Sequence, residues 1–223
     1  MSNKWIGAIA SVVLLVPLAA RADVINGSFT GTITPSGFDQ TGVFGPANTD
    51  LTNDTITGTF SYNTALLSQA ISGGVNTATG TGLGAVTVTI TIGGHSYTFN
   101  DQSGSSVVID DGSVSGESEF NLSNSDFVGG HSDTFTLQLS DPFTPFVSGG
   151  TSLTQSLSIG NPFFQTNSFS IDDAGPVGAG GAFSISSLTS SDISSMPEPA
   201  GMAVVAMGLI GLAGVRARKA RRD

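Results

Sequence analysis

Residues 86–92 read Val-Thr-Val-Thr-Ile-Thr-Ile, a strict alternation of β-branched apolar residues with threonine. A helix scatters such a string around its circumference, whereas an extended strand sends successive side chains to opposite sides and leaves one apolar and one hydroxyl face. The same period of two recurs along the chain. It links Ile56, Gly58, Phe60 and Tyr62, then Phe135, Leu137 and Leu139, and a series of shorter pairs. These pairs are Tyr97 and Phe99, Val107 and Ile109, Phe120 and Leu122, Leu157 and Ile159, Phe169 and Ile171, and Phe183 and Ile185. Each run is short, rich in β-branched or aromatic residues, and bounded by Gly, Asn, Asp or Pro, the signature of strands separated by turns. One apolar and one Ser/Thr face is the mark of antiparallel sheets buried on one side. The fold class expected is therefore all-β, an antiparallel β-sandwich of jelly-roll or Greek-key kind. The one stretch that fits helical spacing is 65–71, through Leu66, Leu67, Ala70 and Ile71.

Charge narrows the function. No Lys or Arg occurs between Arg21 and Arg216, while all but Asp223 of the 17 acidic residues fall inside that interval. Nothing there can neutralise phosphates, so nucleic acid is excluded as a partner. Stability must come from apolar burial and hydrogen bonds, and an acidic surface keeps the protein soluble and attracts divalent cations. There is no cysteine, so no disulfide assists the fold.

Two strings are repeated. Gly93-Gly-His-Ser-Tyr-Thr-Phe99 returns as Gly129-Gly-His-Ser-Asp-Thr-Phe135, and Ile25-Asn-Gly-Ser-Phe29 returns loosely as Ile56-Thr-Gly-Thr-Phe60. Similar hairpins reusing similar turn residues account for this, with a duplicated sheet unit as the alternative. Residues 161–181, rich in Gly and carrying Pro162 and Pro176, read as long loops around one strand, and residues 186–196 as a Ser/Thr linker.

The two ends point to export. Lys4 followed by the apolar run 5–20 and the small-x-small site Ala20-Arg21-Ala22 make residues 1–22 a signal peptide, entered as a helix and cleaved to leave Asp23 first. At the other end Pro197-Glu198-Pro199 holds the chain extended, and the uncharged run 200–215 follows it. As a transmembrane helix that run is roughly 24 Å long, and snorkelling arginines absorb the shortfall against a ~30 Å hydrocarbon core. The basic cluster Arg216, Arg218, Lys219, Arg221 and Arg222 closes the chain and stays cytoplasmic by the positive-inside rule. A Pro-Glu-Pro triplet, an apolar helix and a basic end, in that order over residues 197–223, resemble the PEP-CTERM sorting signal of exported bacterial proteins handled by exosortases. The resemblance implies an exosortase-type processing enzyme as partner and transient anchoring in the inner membrane. It further implies delivery to the cell surface or extracellular matrix of a Gram-negative, polysaccharide-producing bacterium.

Residues with chemistry to offer are few. His131 and Asp133 share a face in a regular strand, and with His95 they make a two-histidine, one-carboxylate metal site imaginable, although turn-flanking positions explain both histidines. Glu117 and Glu119 share a face if residues 115–122 are a strand, and paired carboxylates on a β-sandwich suit glycoside hydrolysis. The one tryptophan, Trp5, leaves with the signal peptide, however, and the tyrosines are only Tyr62 and Tyr97. Asp110-Asp111-Gly112 and Asp172-Asp173-Ala174-Gly175 are acidic turns, and calcium is the one ion they suit. No nucleophile elbow, phosphate loop or dinucleotide fingerprint occurs.

The expected organisation is a signal peptide (1–22), a β-sandwich domain (23–185), a linker (186–196) and a sorting tail (197–223). The expected function is that of a non-enzymatic, exported surface or biofilm-matrix protein associated with exopolysaccharide, with no catalytic residue and no cofactor. A glycan-binding module is the alternative, and a glycoside hydrolase the third reading.

Overall fold

The alternation at 86–92 is realised as drawn. Val86, Val88, Ile90 and Ile92 are buried and Thr87, Thr89 and Thr91 turn to the other face, where Thr89 and Thr91 exchange hydroxyl hydrogen bonds with Thr98 (2.9 Å) and Ser96 (2.7 Å) of the next strand. The computed structural model describes residues 23–100, 103–128, 131–147, 150–172 and 178–193. The signal segment with Ala20 and Ala22, the triplet Pro197, Glu198 and Pro199, the run 200–215 and the basic cluster Arg216, Arg218, Lys219, Arg221 and Arg222 lie outside the described residues.

The strands in chain order are β1 (Val24–Ile33), β2 (Phe38–Asp39), β3 (Thr49–Asp50), β4 (Thr55–Asn63), β5 (Ser68–Ser72), β6 (Val75–Gly80) and β7 (Val86–Ile92). They continue as β8 (His95–Asn100), β9 (Gly104–Asp111), β10 (Ser118–Val128), β11 (His131–Asp141), β12 (Leu157–Gly160), β13 (Phe164–Asp172) and β14 (Gly178–Ile193). The order across the sheet is β5-β6-β9-β10-β11-β13-β14-β1-β4-β7-β8, with β12 and β2 on β14 and β3 on β2. The pairings in this path are antiparallel.

The fold is therefore all-β and antiparallel, but two separate sheets are not what forms. One continuous 14-stranded sheet curls into a half-barrel. The reason lies in β1, which pairs with β14 on one side and β4 on the other and so bridges the place where a sandwich would leave a gap. The twist of so long a sheet then brings its limbs face to face. An aromatic layer fills the space between them: Phe29 against Phe135 (5.9 Å), Phe99 against Phe135 (5.5 Å) and Phe60 against Phe120 (5.8 Å).

Two further expectations are corrected. Residues 65–71 are not a helical turn of the expected length. A 3-10 turn covers Thr64–Leu66, capped by the Asn63 side chain accepting from Ala65 N–H (3.0 Å), and Ser68–Ser72 is an edge strand. The Gly73-Gly74 pair, with φ of +56° and +82°, makes the tight turn that folds β5 onto β6 and outweighs the helical spacing. Residues 186–193 are not linker but the second half of β14, paired with both β1 and β12, so the domain runs past residue 185 to Ile193. Residues 161–181 contain β13 as their one full strand and the start of β14.

Both repeats acquire a structural meaning. Gly93-Gly94, with φ of +58° and +86°, turns β7 into β8 as the glycine pair predicts. The two copies of the longer string then meet across the concave face at matching positions: Phe99 touches Phe135, and the Tyr97 hydroxyl donates to Asp133 Oδ2. The two copies of the shorter string pair antiparallel on neighbouring strands, so that Phe29 stands opposite Gly58 and Phe60 opposite Gly27.

Candidate functional site

The expected metal residues occupy one end of the concave face but do not assemble as a site. His131 opens β11, and Asp133 lies on the same side of that strand, as the strand period requires. Asp133 is already engaged: Oδ2 accepts the Tyr97 hydroxyl and Oδ1 accepts the Asp172 backbone N–H (2.8 Å). The nearest carboxylate to His131 is Asp172, 3.9 Å from Nδ1. His95 is exposed at the start of β8. Among the described residues no three His, Asp or Glu side chains converge as a metal-holding group, which corrects the grouping of His95, His131 and Asp133.

The paired glutamates are corrected as well. β10 begins at Ser118, leaving Glu117 in the exposed turn before it, where its N–H binds Ser115 Oγ (3.2 Å). Glu119 stands alone on the outer face of β10, accepting from Gln138 Nε2 at 3.0 Å. The expected shared strand face of the two carboxylates is therefore not formed. The acidic turn 110–112 is turn chemistry: Asp110 Oδ1 accepts from Gly112 N–H (2.8 Å) and Asp111 Oδ1 from Ser113 N–H (2.9 Å). The Ser113 hydroxyl, and then its N–H, hold the Asp111 carboxyl below the ordinary 3.8. Of the second turn, Asp173, Ala174 and Gly175 lie outside the described residues.

The outer face carries what the sequence reading missed. Glu119, Ser140 and Phe164 are successive cross-strand neighbours on β10, β11 and β13. Phe164 meets Phe163 edge to face (4.6 Å, 85°), and Phe163 meets Phe143 likewise (4.8 Å, 82°). All three rings are exposed, Phe143 by 71%. Scattered apolar residues on a surface are ordinary, but these three phenylalanines, of the 14 in the chain, are contiguous and form an exposed apolar patch. Beside them the Glu119–Gln138 pair offers a carboxylate and an amide in fixed orientation. Aromatic rings next to planar hydrogen-bonding groups suit the C–H faces and hydroxyls of a sugar. The signal available in sequence was Asp141-Pro-Phe and Asn161-Pro-Phe-Phe, phenylalanines in turns that no strand period buries.

A buried carboxylate also went unread. Asp39 is fully buried, and Oδ1 accepts the N–H groups of Thr41 (3.1 Å), Gly42 (2.7 Å) and Val43 (3.1 Å) while Oδ2 accepts that of Phe44 (2.6 Å). With no Lys or Arg in the domain, these backbone N–H groups and the Thr41 hydroxyl (3.4 Å) satisfy it, and its role is to fold the 39–44 loop so that Phe44 packs edge to face on Phe169 (5.7 Å).

Comparison of the chain with protein-family models, characterised proteins and solved structures finds no match. Among the described residues no helix is long and apolar enough to cross a membrane, and the run 200–215 expected to do so is outside them.

Proposed function

We propose that this is an exported, non-enzymatic surface or extracellular-matrix protein delivered by its tail. The observation that carries the reading is the order of three elements in residues 197–223: the Pro-Glu-Pro triplet, the uncharged run and the basic end. An exosortase-type enzyme processes it, the inner membrane holds it in transit, and exopolysaccharide surrounds it at its destination. The passenger is best read as sandwich-like, with the two limbs of the one curled sheet as its layers and connections of Greek-key kind: the chain crosses from limb to limb between β4 and β5, β6 and β7, and β8 and β9. The test replaces Pro197-Glu198-Pro199 with three alanines. Membrane insertion depends on 200–215 and the basic cluster and survives the change. The chain then accumulates in the inner membrane at full precursor length instead of reaching the surface or medium. Unchanged size and distribution on fractionation would reject the sorting role.

A second reading, glycan binding, is favoured by one observation: the exposed Phe143, Phe163 and Phe164 rings beside the Glu119–Gln138 pair. It is compatible with the first, since a matrix protein has reason to hold the polymer around it.

A further inference from the structure

We propose that the uncovered end of the concave face, under the β5–β6 hairpin, is a second binding site and takes a neutral saccharide. The proposal rests on the glycan-binding reading but uses different residues. In the β5–β6 pairing Gln69 stands opposite Ala78 and Ile71 opposite Asn76. Ala78 and Asn76 are buried, so this is the inward face of the hairpin, and cross-strand partners share a face. Yet Ile71 is 66% exposed and every residue of β5 is exposed. An inward-facing row has been left without a cover among the described residues. The space beside it is a cavity of about 520 Å³ whose lining includes Asp23, Gln69, Ile71, Asn76, Thr151 and Leu153. That volume falls in the range of small-ligand sites, roughly 300–1,000 Å³.

The walls are fixed. Tyr62 OH donates to the Leu153 carbonyl (2.7 Å), and Asn76 Nδ2 donates to the Thr151 carbonyl (2.7 Å), so the 151–154 segment is pinned from two strands. The second bond also sets which way the Asn76 amide points. Its other contact is a 3.3 Å bond from Nδ2 to Gln69 Oε1, and its Oδ1 is buried with no hydrogen-bond partner among the described residues. A buried amide oxygen without a donor costs free energy that a ligand hydroxyl would recover. Gln69, exposed and held by that long bond, is the side chain that moves aside to admit it.

Charge selects the ligand class. Asp23 is the one residue in the lining with an ionisable side chain, and no Lys or Arg occurs from residue 23 to 193; once cleavage leaves Asp23 first its own α-ammonium offsets that carboxylate, so the lining has no net charge with which to hold an ion. The site is rich in acceptors and hydroxyls and asks for donors. A neutral sugar brings several O–H donors together with an apolar C–H face for Ile71 and Leu153 to contact.

The experiment uses the full chain in a detergent without a sugar headgroup. Neutral trisaccharides (cellotriose, maltotriose, mannotriose) are titrated calorimetrically, with glucuronate and putrescine as charged controls. At least one neutral trisaccharide binds and glucuronate does not. The Ile71→Ala variant alters only an exposed side chain and keeps the thermal transition, yet weakens binding by about tenfold. A Phe143→Ala, Phe163→Ala variant keeps this binding event. Undiminished binding in the pocket variant combined with loss in the phenylalanine variant would overturn the pocket and leave glycan binding standing. Absence of heat with every neutral sugar would overturn both, and binding of putrescine alone would make the site one for a cation.

Discussion

The ring of Phe29 lies flat over the backbone of Gly58: a methyl group built on Gly58 would stand 2.2 Å from the ring's Cζ. The arrangement is reciprocal, since a methyl on Gly27 would stand 2.1 Å from Cζ of Phe60. Each glycine in a strand interior is weak alone, having no side chain to pack and more backbone freedom to lose. Here each is covered by the aromatic ring directly across the ladder. Gly58→Ala and Gly27→Ala are each expected to destabilise the domain by about 1–3 kcal/mol, the cost of overpacking a filled core. Denaturant titration would measure it, and Phe29→Leu in the Gly58→Ala background should recover part of the loss. Additive effects of the two substitutions would show that the ring and the glycine do not share one space.

That pairing shows how far the sequence could be read. The string Ile-x-Gly-x-Phe is visible twice, and so is its period of two, but nothing in either copy says that the copies are neighbours running in opposite directions. Strand identity was legible wherever the period held, as at Val86, Val88, Ile90 and Ile92. It failed where a bulge broke it. In β14 beyond Gly180 the buried residues are Phe183, Ile185, Leu188 and Ser190, and the parity changes after Ile185 because the register against β1 slips between Thr30 and Gly31. A reader following alternation loses the strand at Ser186 and sees a Ser/Thr linker. Residues 65–71 failed for a different reason: their apolar spacing suits a helix, and a glycine-pair turn and a partner strand decide otherwise. The closure of two expected sheets into one curled sheet depends on β1 pairing with the far end of the chain, which no local pattern encodes. The glutamate pair failed because its strand starts one residue too late, at Ser118.

Asp39 gives a second expected outcome. Four backbone N–H groups converge on its two oxygens, so Asp39→Asn forces an amide N–H₂ against at least one of those donors. The loss is expected to be about 1–3 kcal/mol for Asn, with Ala at least as costly because all four donors lose their acceptor. The midpoint of denaturation should fall with an unchanged slope. Amide hydrogen exchange at Gly42 and Phe44 should rise in the same variants, and protection that persists there would separate the loop from the carboxylate.

Acid should be felt at two exposed turns. The hydroxyl of Thr52, and then its N–H, lower the Asp50 carboxyl below 3.8, as Ser113 does for Asp111. A carboxyl whose folded value is depressed contributes stability above its unfolded value, and that contribution is lost as the pH falls through the folded value. Both contributions are therefore complete at neutral pH and fade below about pH 3.8. Asp50 is exposed and Asp111 half-exposed, both at the surface, so the readout is their titration by NMR rather than global unfolding. Thr52→Ala should bring Asp50 back toward 3.8 without moving Asp111, and Ser113→Ala should do the reverse. A titration of Asp50 that ignores Thr52→Ala would place the hydrogen bond outside the solution structure.

The absence of any Lys or Arg from residue 23 to 193 makes salt the last test. Folding gathers carboxylates that have no cationic neighbour, and their mutual repulsion acts against the compact state more than against the expanded chain. Screening shortens the reach of that repulsion from about 30 Å at 0.01 M salt to about 3 Å at 1 M. The melting temperature is expected to rise with sodium chloride by about 2–4 °C, the shift that corresponds to about 1 kcal/mol in a domain of this size. Calcium separates screening from binding. The carboxylates of Asp39, Asp50, Asp110, Asp111 and Glu119 already accept from Thr41, Thr52, Gly112, Ser113 and Gln138, and among the described residues no three acidic or histidine side chains form a metal-holding group. Calcium at matched ionic strength should therefore match sodium in effect. A melting temperature indifferent to salt would mean the negative charges are too dispersed to oppose folding. A further rise specific to calcium would instead mark a site that draws on acidic residues outside the described ones, with Asp173 the first to replace by asparagine.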